Sequence, residues 1–366
     1  MTIPVGGASS EAPPTMPAKS SQDPDRPPAA ECFPACPASW YLFCPTEELR
    51  RGPVSKRMLG RQLVAFRTER GQLAVMDAHC AHLGADLGFG TVKGETIQCP
   101  FHHWRFRADG VCVAGPDPAD PCPSPRLRTH PVAERHGYLF VFNGPEALFP
   151  LPFFFDAAAE DFVAGKPFRY VSDCTWYMNA ANGFDMQHFL CVHGRKLIDQ
   201  CLIDCPDLFA RRNRYRADIV GSSSSDRFLR RWAGRTVEVS ITSWGGPYML
   251  MTADFPRANS RFLIATQPLD DGRTLCEGIV FMRRSRTALM RRLWQPLSLM
   301  VRRWLTYQFV ADEARSLRGV RYNPVSLGRK DQEMLGFLRW AAALPQGTPS
   351  RNASVESPRR MEKPTP

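Results

Sequence analysis

Two pairs of metal-ligand residue types stand close together early in the chain: Cys80-Ala-His82 and, after sixteen intervening residues, Cys99-Pro-Phe-His102. Two thiolates on one iron and two imidazoles on the other make up the mixed cysteine–histidine [2Fe–2S] centre, whose reduction potential lies well above that of an all-cysteine cluster. Gly84, Gly88, Gly90 and Gly94 lie between the pairs and let two loops converge on one cluster without Cβ clashes. The chemistry this predicts is single-electron transfer. A structural zinc ion takes the same ligand types, but zinc motifs usually set two or more residues between paired ligands, and only Ala81 separates Cys80 from His82. A Cys80–Cys99 disulfide is the weaker alternative, because the opening Met-Thr-Ile-Pro-Val-Gly-Gly has neither a basic n-region nor an apolar h-region. The expected compartment is therefore the reducing cytoplasm.

A second constellation follows about eighty residues on, Asn182-Gly-Phe-Asp185-Met-Gln-His188-Phe-Leu-Cys-Val-His193. Asp185 and His188, three apart, would share one face of a helix, with His193 at or just past its end. Two histidines and one carboxylate on one face of a metal form the arrangement that binds non-haem Fe(II) and leaves positions open for O2 and substrate. Standing alone, the segment reads equally as a helix with two ordinary histidines near a loop.

Taken together, the two constellations resemble the catalytic (α) subunit of the Rieske non-haem iron oxygenases, whose D-x-x-H-x-x-x-x-H motif matches Asp185, His188 and His193. The resemblance implies that Cys80, His82, Cys99 and His102 hold the [2Fe–2S] cluster and that His188 and His193 ligate a mononuclear Fe(II). It also implies that Asp185 accepts hydrogen bonds across a subunit boundary, linking this iron to a neighbour's cluster, and that an aspartate much later in the chain completes the ligand set. The candidate is Asp312, in a helical stretch with Tyr307 and Val310 apolar that ends near Gly319; Glu313 is the second choice. Further implications are O2 as co-substrate, electrons from NAD(P)H through a ferredoxin or flavin reductase, a small hydrophobic substrate and a homotrimer. Residues 75–86 and 97–105, with Asp312, Gly319 and Asn323-Pro324, are similar to the arylamine N-oxygenases grouped around aminopyrrolnitrin oxygenase, whereas residues 182–189 depart from them. Ketosteroid hydroxylases and oxidative cyclases share the general pattern, so the expected substrate is an aromatic or polycyclic secondary metabolite. The rival class is a non-catalytic electron carrier or redox sensor, which would have no need of Asp185, His188 and His193.

The elements that must carry these groups are legible in outline. With 366 residues and 43% hydrophobic content, two domains each with a core of its own are expected. Residues 1–37, dominated by Ser, Pro, Ala and Asp, and residues 344–366 read as disordered tails. Short alternating runs at residues 63–67, 73–76 and 138–142, punctuated by Gly71, Gly110 and Gly137, predict an antiparallel all-β domain over 38–148 that contains the cluster loops. Residues 149–343 mix strands, at 236–241 and 261–266, with a helix carrying the histidines and helices after Thr287. The fold class is α+β, and the resemblance implies a helix-flanked antiparallel sheet of the START-like helix-grip type for this second domain. Phe184, Met186, Phe189, Trp244 and Tyr248 are pocket candidates, although each such side chain is more often core.

The remaining signals are charge and cysteine. A net charge of +11 invites a nucleic-acid reading, but no nucleic-acid motif accompanies it and no such partner is expected. One basic stretch, Arg283 to Leu305, interleaves arginines with Leu, Met and Trp and is broken by Pro296. It reads as a peripheral membrane contact, a grip for an acidic partner such as a ferredoxin, or a solvated surface helix. No run of eighteen apolar residues is present to span a membrane. Of twelve cysteines only Cys80 and Cys99 receive a chemical role; Cys32 with Cys36 and Cys201 with Cys205 lack partner ligands, Cys191 sits between the two histidines, and His103 and Trp104 are expected to pack over the cluster.

Overall fold

The computed structural model describes residues 26–117, 126–285 and 287–348. Four sheets, antiparallel throughout, divide into two regions. In the first, Trp40–Pro45, Tyr138–Phe142 and Val132–Arg135 form one sheet; Val54–Met58, Arg61–Arg67, Leu73–Asp77 and Thr129–His130 form a second; and Thr91–Lys93, Thr96–Gln98, Arg105–Arg107 and Cys112–Ala114 form a third. In the second region a nine-stranded sheet runs in the order Phe162–Ala164, Thr274–Arg283, Ala258–Pro268, Tyr248–Phe255, Thr236–Trp244, Ala210–Ile219, Arg195–Leu197, with Phe168–Ser172 and Leu202–Asp207 paired onto it. Its helices are α1 (Trp176–Ala181), α2 (Met186–Cys191), α3 (Ser224–Trp232), α4 (Ala288–Arg292), α5 (Trp294–Ser316) and α6 (Gln332–Ala343). The α+β class and the strands at 63–67, 73–76 and 138–142 are as the alternation predicts.

The two regions have distinct cores that share one sheet. Along Trp40–Pro45 and Tyr138–Phe142 the side chains alternate, as a pleated strand requires. Tyr41, Phe43, Leu139 and Val141 pack with Leu63 and Val75 inside the first region. Trp40, Leu42, Tyr138, Phe140 and Phe142 face the other way, into a cluster with Phe149, Trp244, Leu263 and Phe337. One sheet thus serves both cores. That explains why strand Ala258–Pro268 is buried continuously from Phe262 to Ala265 rather than on alternate residues. A buried carboxylate crosses the same seam, with Glu277 Oε1 2.5 Å from Arg169 Nε and Oε2 3.9 Å from Lys56 Nζ.

Both expected tails are shorter than their composition suggests. Phe33 stacks on Tyr177 at 3.8 Å, and Pro34 accepts a hydrogen bond from Trp176 Nε1. Leu344 is 1% exposed, and the backbone of residues 345–347 bonds to that of Cys36 and Ala38. The two ends stabilise each other across the sequence, a long-range pairing that local composition does not register. Residues 1–25 and 349–366 lie outside the described residues, as does most of the Pro-rich segment 118–125. Pro296 does not break the basic helix. It sits in the first turn of α5, where its missing N–H has no intrahelical partner to lose, and the actual break falls at Leu293. Among the described residues no helix is long and apolar enough to cross a membrane.

Candidate metal centres

The first centre is built from two loops, each closed by its own backbone hydrogen bonds. Cys80 N–H donates to Ala85 O and Gly84 N–H to Cys80 O, both at 2.9 Å, while Cys99 N–H donates to Trp104 O at 2.8 Å. Gly84 takes φ 78°, open to glycine at little cost, and a Cβ on Gly90 would lie 2.2 Å from Gln98 O beside the second loop. The loops bury the two sulfurs and leave the imidazoles outside. Cys80 and Cys99 are 4% and 1% exposed in the core around Leu87, Ile97 and Phe106, whereas His82 is exposed and His102 half-buried, with ring centroids 4.7 Å apart. Trp104 stacks on His82 at 4.6 Å, the packing role expected for it; His103 turns through φ 57° and is exposed. Burial, with Cys99 beside it, pushes the Cys80 thiol up to about 11. A buried thiol such as Cys80 would not ionise unaided at neutral pH and does so on coordinating a metal, so with the buried Cys99 beside it the donor set fits an iron–sulfur cluster.

The second centre draws on distant parts of the chain. Asp185 is not within the helix body beside His188, as its spacing suggests; it is the N-cap of α2, its Oδ1 accepting from Gln187 N–H at 2.9 Å and His188 N–H at 3.2 Å. The helix ends at Cys191, and Gly194, at φ 59° with its N–H donating to Leu190 O at 3.1 Å, closes the turn that holds His193 just past the helix end. His188 Nε2 and His193 Nε2 lie 3.1 Å apart, both aimed at Glu313 Oε2, at 2.7 and 3.0 Å. These three ligand atoms all fall within 4.8 Å of one another, the one such group among the described residues.

Asp312, the acid expected from the sequence, does not join this group; Glu313 does. Asp312 turns away to pair with Arg315 and is one-third exposed, because on a helix the next residue points about 100° around the axis, so only one of the two acids of α5 can face the histidines. Glu313 is that residue, and its longer arm reaches across from α5 to the end of α2. Burial raises the Glu313 carboxyl, yet the hydrogen bonds and charge of the two histidines overcome this and hold it well below the usual carboxylate range. His188 is moved up, its burial outweighed by Glu313; His193 is moved down by burial despite the same partner. A carboxylate kept ionised beside two converging imidazole nitrogens is the donor chemistry of a divalent-metal site.

Neighbours orient these ligands. Asn182 Nδ2 donates to Glu313 Oε1 at 2.9 Å, leaving Oε2 for the histidines. Phe309 stacks on His193 at 3.9 Å. Arg195 donates to the carbonyl of His193 and pairs at 2.7 Å with Asp226, the two side chains being 9% and 10% exposed. Burial raises the Asp226 carboxyl, but Ser223 and Arg195 more than offset it, and it titrates below its ordinary value.

A small cavity of about 40 Å³ opens on the triad, walled by Ile241, Met249, Met251, Ile264 and Phe309, with Tyr170, Asn179 and Asn182 as its polar groups. Strand register assembles the apolar wall, since Ile241 pairs with Met251 and Ile264 with Met249 across three adjacent strands. Of the pocket candidates named from sequence only Phe189 lines it. Phe184 is buried against Phe337, and Trp244 packs with Phe149 and Phe155. The lining residues carried a signal, alternation on strands Thr236–Trp244 and Tyr248–Phe255, but nothing in the sequence says which sheet face meets α2. A larger vestibule lies on the other side of His193 and Phe309, between α3 and α5, and includes Cys191, Arg195, Asp226, Leu229 and Leu305.

Comparison with known proteins bears on both centres. Residues 39–131 match the Rieske [2Fe–2S] domain family. The chain is 38% identical over 168 residues to aminopyrrolnitrin oxygenase PrnD of Pseudomonas fluorescens, an alignment covering 43% of this chain and 46% of the relative. It is 41% identical over 142 residues, 37% of this chain and 35% of the relative, to a probable 3-ketosteroid-9-alpha-monooxygenase oxygenase component of Rhodococcus rhodochrous. These alignments span less than half the length of the curated relatives. Dicamba monooxygenase bound to dicamba superposes with a TM-score of 0.61 at 18% identity, over 82% of this chain and 95% of that one. NdmA of Pseudomonas putida CBB5 does so at 0.60 and 20%, over 83% and 89%. At such identities the likeness is one of fold.

Proposed function

We propose that this chain, which is similar to the Rieske oxygenases in its first domain, its relatives and its fold, is the terminal oxygenase of a Rieske non-haem iron system. It takes electrons that originate in NAD(P)H, delivered by a ferredoxin or flavin reductase, and inserts oxygen from O2 into a hydrophobic, aromatic or polycyclic secondary metabolite in the cytoplasm. The observation that carries this reading is the convergence of His188, His193 and Glu313 at one end of an apolar cavity. A simple electron carrier has no use for it. The relative of known name in Rhodococcus is called an oxygenase component, which favours a separate electron donor.

In this reading Cys80, His82, Cys99 and His102 hold the cluster, and His188, His193 and Glu313 hold Fe(II). When bound, the two groups supply one-electron transfer and O2 activation. The protein's own contribution is positional. Asn182 turns Glu313 so that one carboxylate oxygen faces both histidines, and Phe309 fixes the plane of His193. Ile241, Met249, Met251 and Ile264 keep water from the cavity and select apolar substrates, while Asn179 and Tyr170 offer polar atoms to orient one. Asp185 keeps one carboxylate oxygen on its helix cap, and its second oxygen serves the expected link to a neighbouring subunit. The two centres belong to different packing clusters, Cys80 and Cys99 in one and Phe189, next to His188, in another, and in this reading the chain works as a homotrimer in which electrons pass between subunits.

The test is a single turnover of chemically reduced, iron-replete protein under labelled O2 with a panel of arylamines, indoles, pyrroles and sterols, read by mass spectrometry beside the cluster's visible spectrum. Label on nitrogen supports arylamine N-oxygenation, and label on carbon supports a hydroxylase of the ketosteroid or cyclase type. A protein that binds the cluster but no mononuclear iron would overturn the reading in favour of a carrier or redox sensor.

A further inference from the structure

Helices α4 and α5 follow one another through Leu293 and carry two distinct faces. One is inward: Thr306 and Val310 are buried, and Arg302 and Arg303 fasten the helix to backbone carbonyls of Asn259, Lys166 and Pro167. The other is outward. Leu289, Leu293, Leu297, Met300, Trp304 and Tyr307 recur at steps of four and three and are 41–68% exposed, and Met290, Trp294 and Val301 widen the stripe. Within α5, at about 100° per residue, Leu297, Met300 and Trp304 lie roughly 130° around the axis from Thr306 and Val310, so they are not a misplaced core face. From Trp294 to Tyr307 within α5, a rise of about 1.5 Å per residue makes the stripe on the order of 20 Å long, and α4 adds Leu289 and Met290 beyond the break at Leu293. Single exposed apolar residues are ordinary, but a contiguous row of this length marks an interaction surface.

Charge selects the occupant. No Asp or Glu occurs between Glu277 and Asp312, while arginines stand at 283, 284, 286, 291, 292, 302 and 303. Arg291 and Arg292 are exposed on either flank of the stripe, and neither forms an ion pair with a described residue. A second copy of this chain would bring a net charge of +11 against this face. An anionic bilayer meets both halves of the pattern, taking apolar side chains and tryptophans into the headgroup–acyl boundary while its phosphates pair with arginine. We propose that the α4–α5 face seats the protein on an anionic lipid surface. Leu305 of α5 and Leu229 of α3 wall the vestibule beside His193, and α3 adds exposed Phe228 and Trp232 among Arg227, Arg230 and Arg231. Resting on the oxygenase reading, this surface brings the vestibule close to a phase in which a hydrophobic substrate concentrates.

The experiment is co-sedimentation of the full chain with phosphatidylcholine–phosphatidylserine vesicles and with phosphatidylcholine alone, with light scattering of the free protein. Expected are binding to the anionic vesicles, weakened by salt, and a roughly thirty-fold loss in Arg291→Gln/Arg292→Gln, at about 1 kcal/mol per arginine. Leu293→Ser/Trp294→Ser should lose binding comparably. In both variants the cluster's absorption and the oligomeric state should be unchanged. Equal failure of the native chain to bind either vesicle would overturn the proposal. So would a fall in oligomeric state in these variants, which would assign the face to a second copy. So too would loss of an acidic ferredoxin's binding in the same variants without any vesicle binding by the native chain. Because no readout depends on turnover, the lipid surface and the oxygenase reading can fail separately.

Discussion

The two candidate metal centres solve the same problem, holding imidazoles and anionic ligands around iron, by opposite means. All four residues of the first fall within Cys80–His102, on loops whose closing hydrogen bonds are internal to each loop. The second joins His188 and His193 to Glu313, 120 residues beyond the nearer histidine, and exists only because α5 docks against the end of α2. The first is a local structure that the chain makes wherever those loops fold. The second depends on the whole catalytic half. A local site should tolerate damage elsewhere, and a composite one should report it.

The most forceful test of that contrast is to remove one ligand from each. Glu313→Ala should abolish mononuclear iron while the visible and paramagnetic signature of the cluster remains; Asp312→Ala, one residue away, should retain both. Metal analysis with the cluster spectrum reads the result, and loss of iron in Asp312→Ala alone would reverse the assignment. In the opposite direction, Cys99→Ser should bleach the cluster but leave the triad able to take up Fe(II).

Next in size is an effect from behind the iron site. Asp226→Ala leaves Arg195 buried without its partner and should cost about 3 kcal/mol, measured by denaturant unfolding. Mononuclear iron should weaken with it, because Arg195 holds the carbonyl of His193. The Asp226 carboxyl titrates lower in the folded chain than in the unfolded one. Its stabilisation is therefore complete above the ordinary carboxylate value of about 4 and is lost as pH falls through the folded value. The native chain should show this acid-side loss, and Asp226→Ala should show less of it.

The smallest expected effect sharpens the comparison most. Asn182→Ala removes only the hydrogen bond to Glu313 Oε1 and should lower Fe(II) affinity by about 10- to 100-fold, with the cluster and global stability unchanged. An unaltered affinity would mean that α5 alone aims Glu313.

What could be read beforehand follows the same division. Cys80, His82, Cys99 and His102, the glycines between them and the strands around them were legible because each interaction is short in sequence and the loops need particular residue types at fixed spacing. His188 and His193 were legible for that reason too. The choice between Asp312 and Glu313 was not, since two neighbouring acids on one helix differ only in the direction they point, and that direction is set by Thr306, Val310, Arg302 and Arg303 docking the helix. The cavity wall was equally hidden, because alternation shows that a strand has two faces and not which of them meets α2.

By itself, then, the sequence determined the ligand types of both centres, the α+β class and the basic, apolar character of the stretch from Arg283 to Leu305. Tertiary structure decided which acid faces His188 and His193, the helix-capping position of Asp185, the sharing of one sheet between two cores, the anchoring of residues 26–37 and 344–348, and the outward direction of the apolar stripe. Each of these depends on contacts between segments far apart along the chain, where relative orientation, rather than residue type, determines which atoms meet.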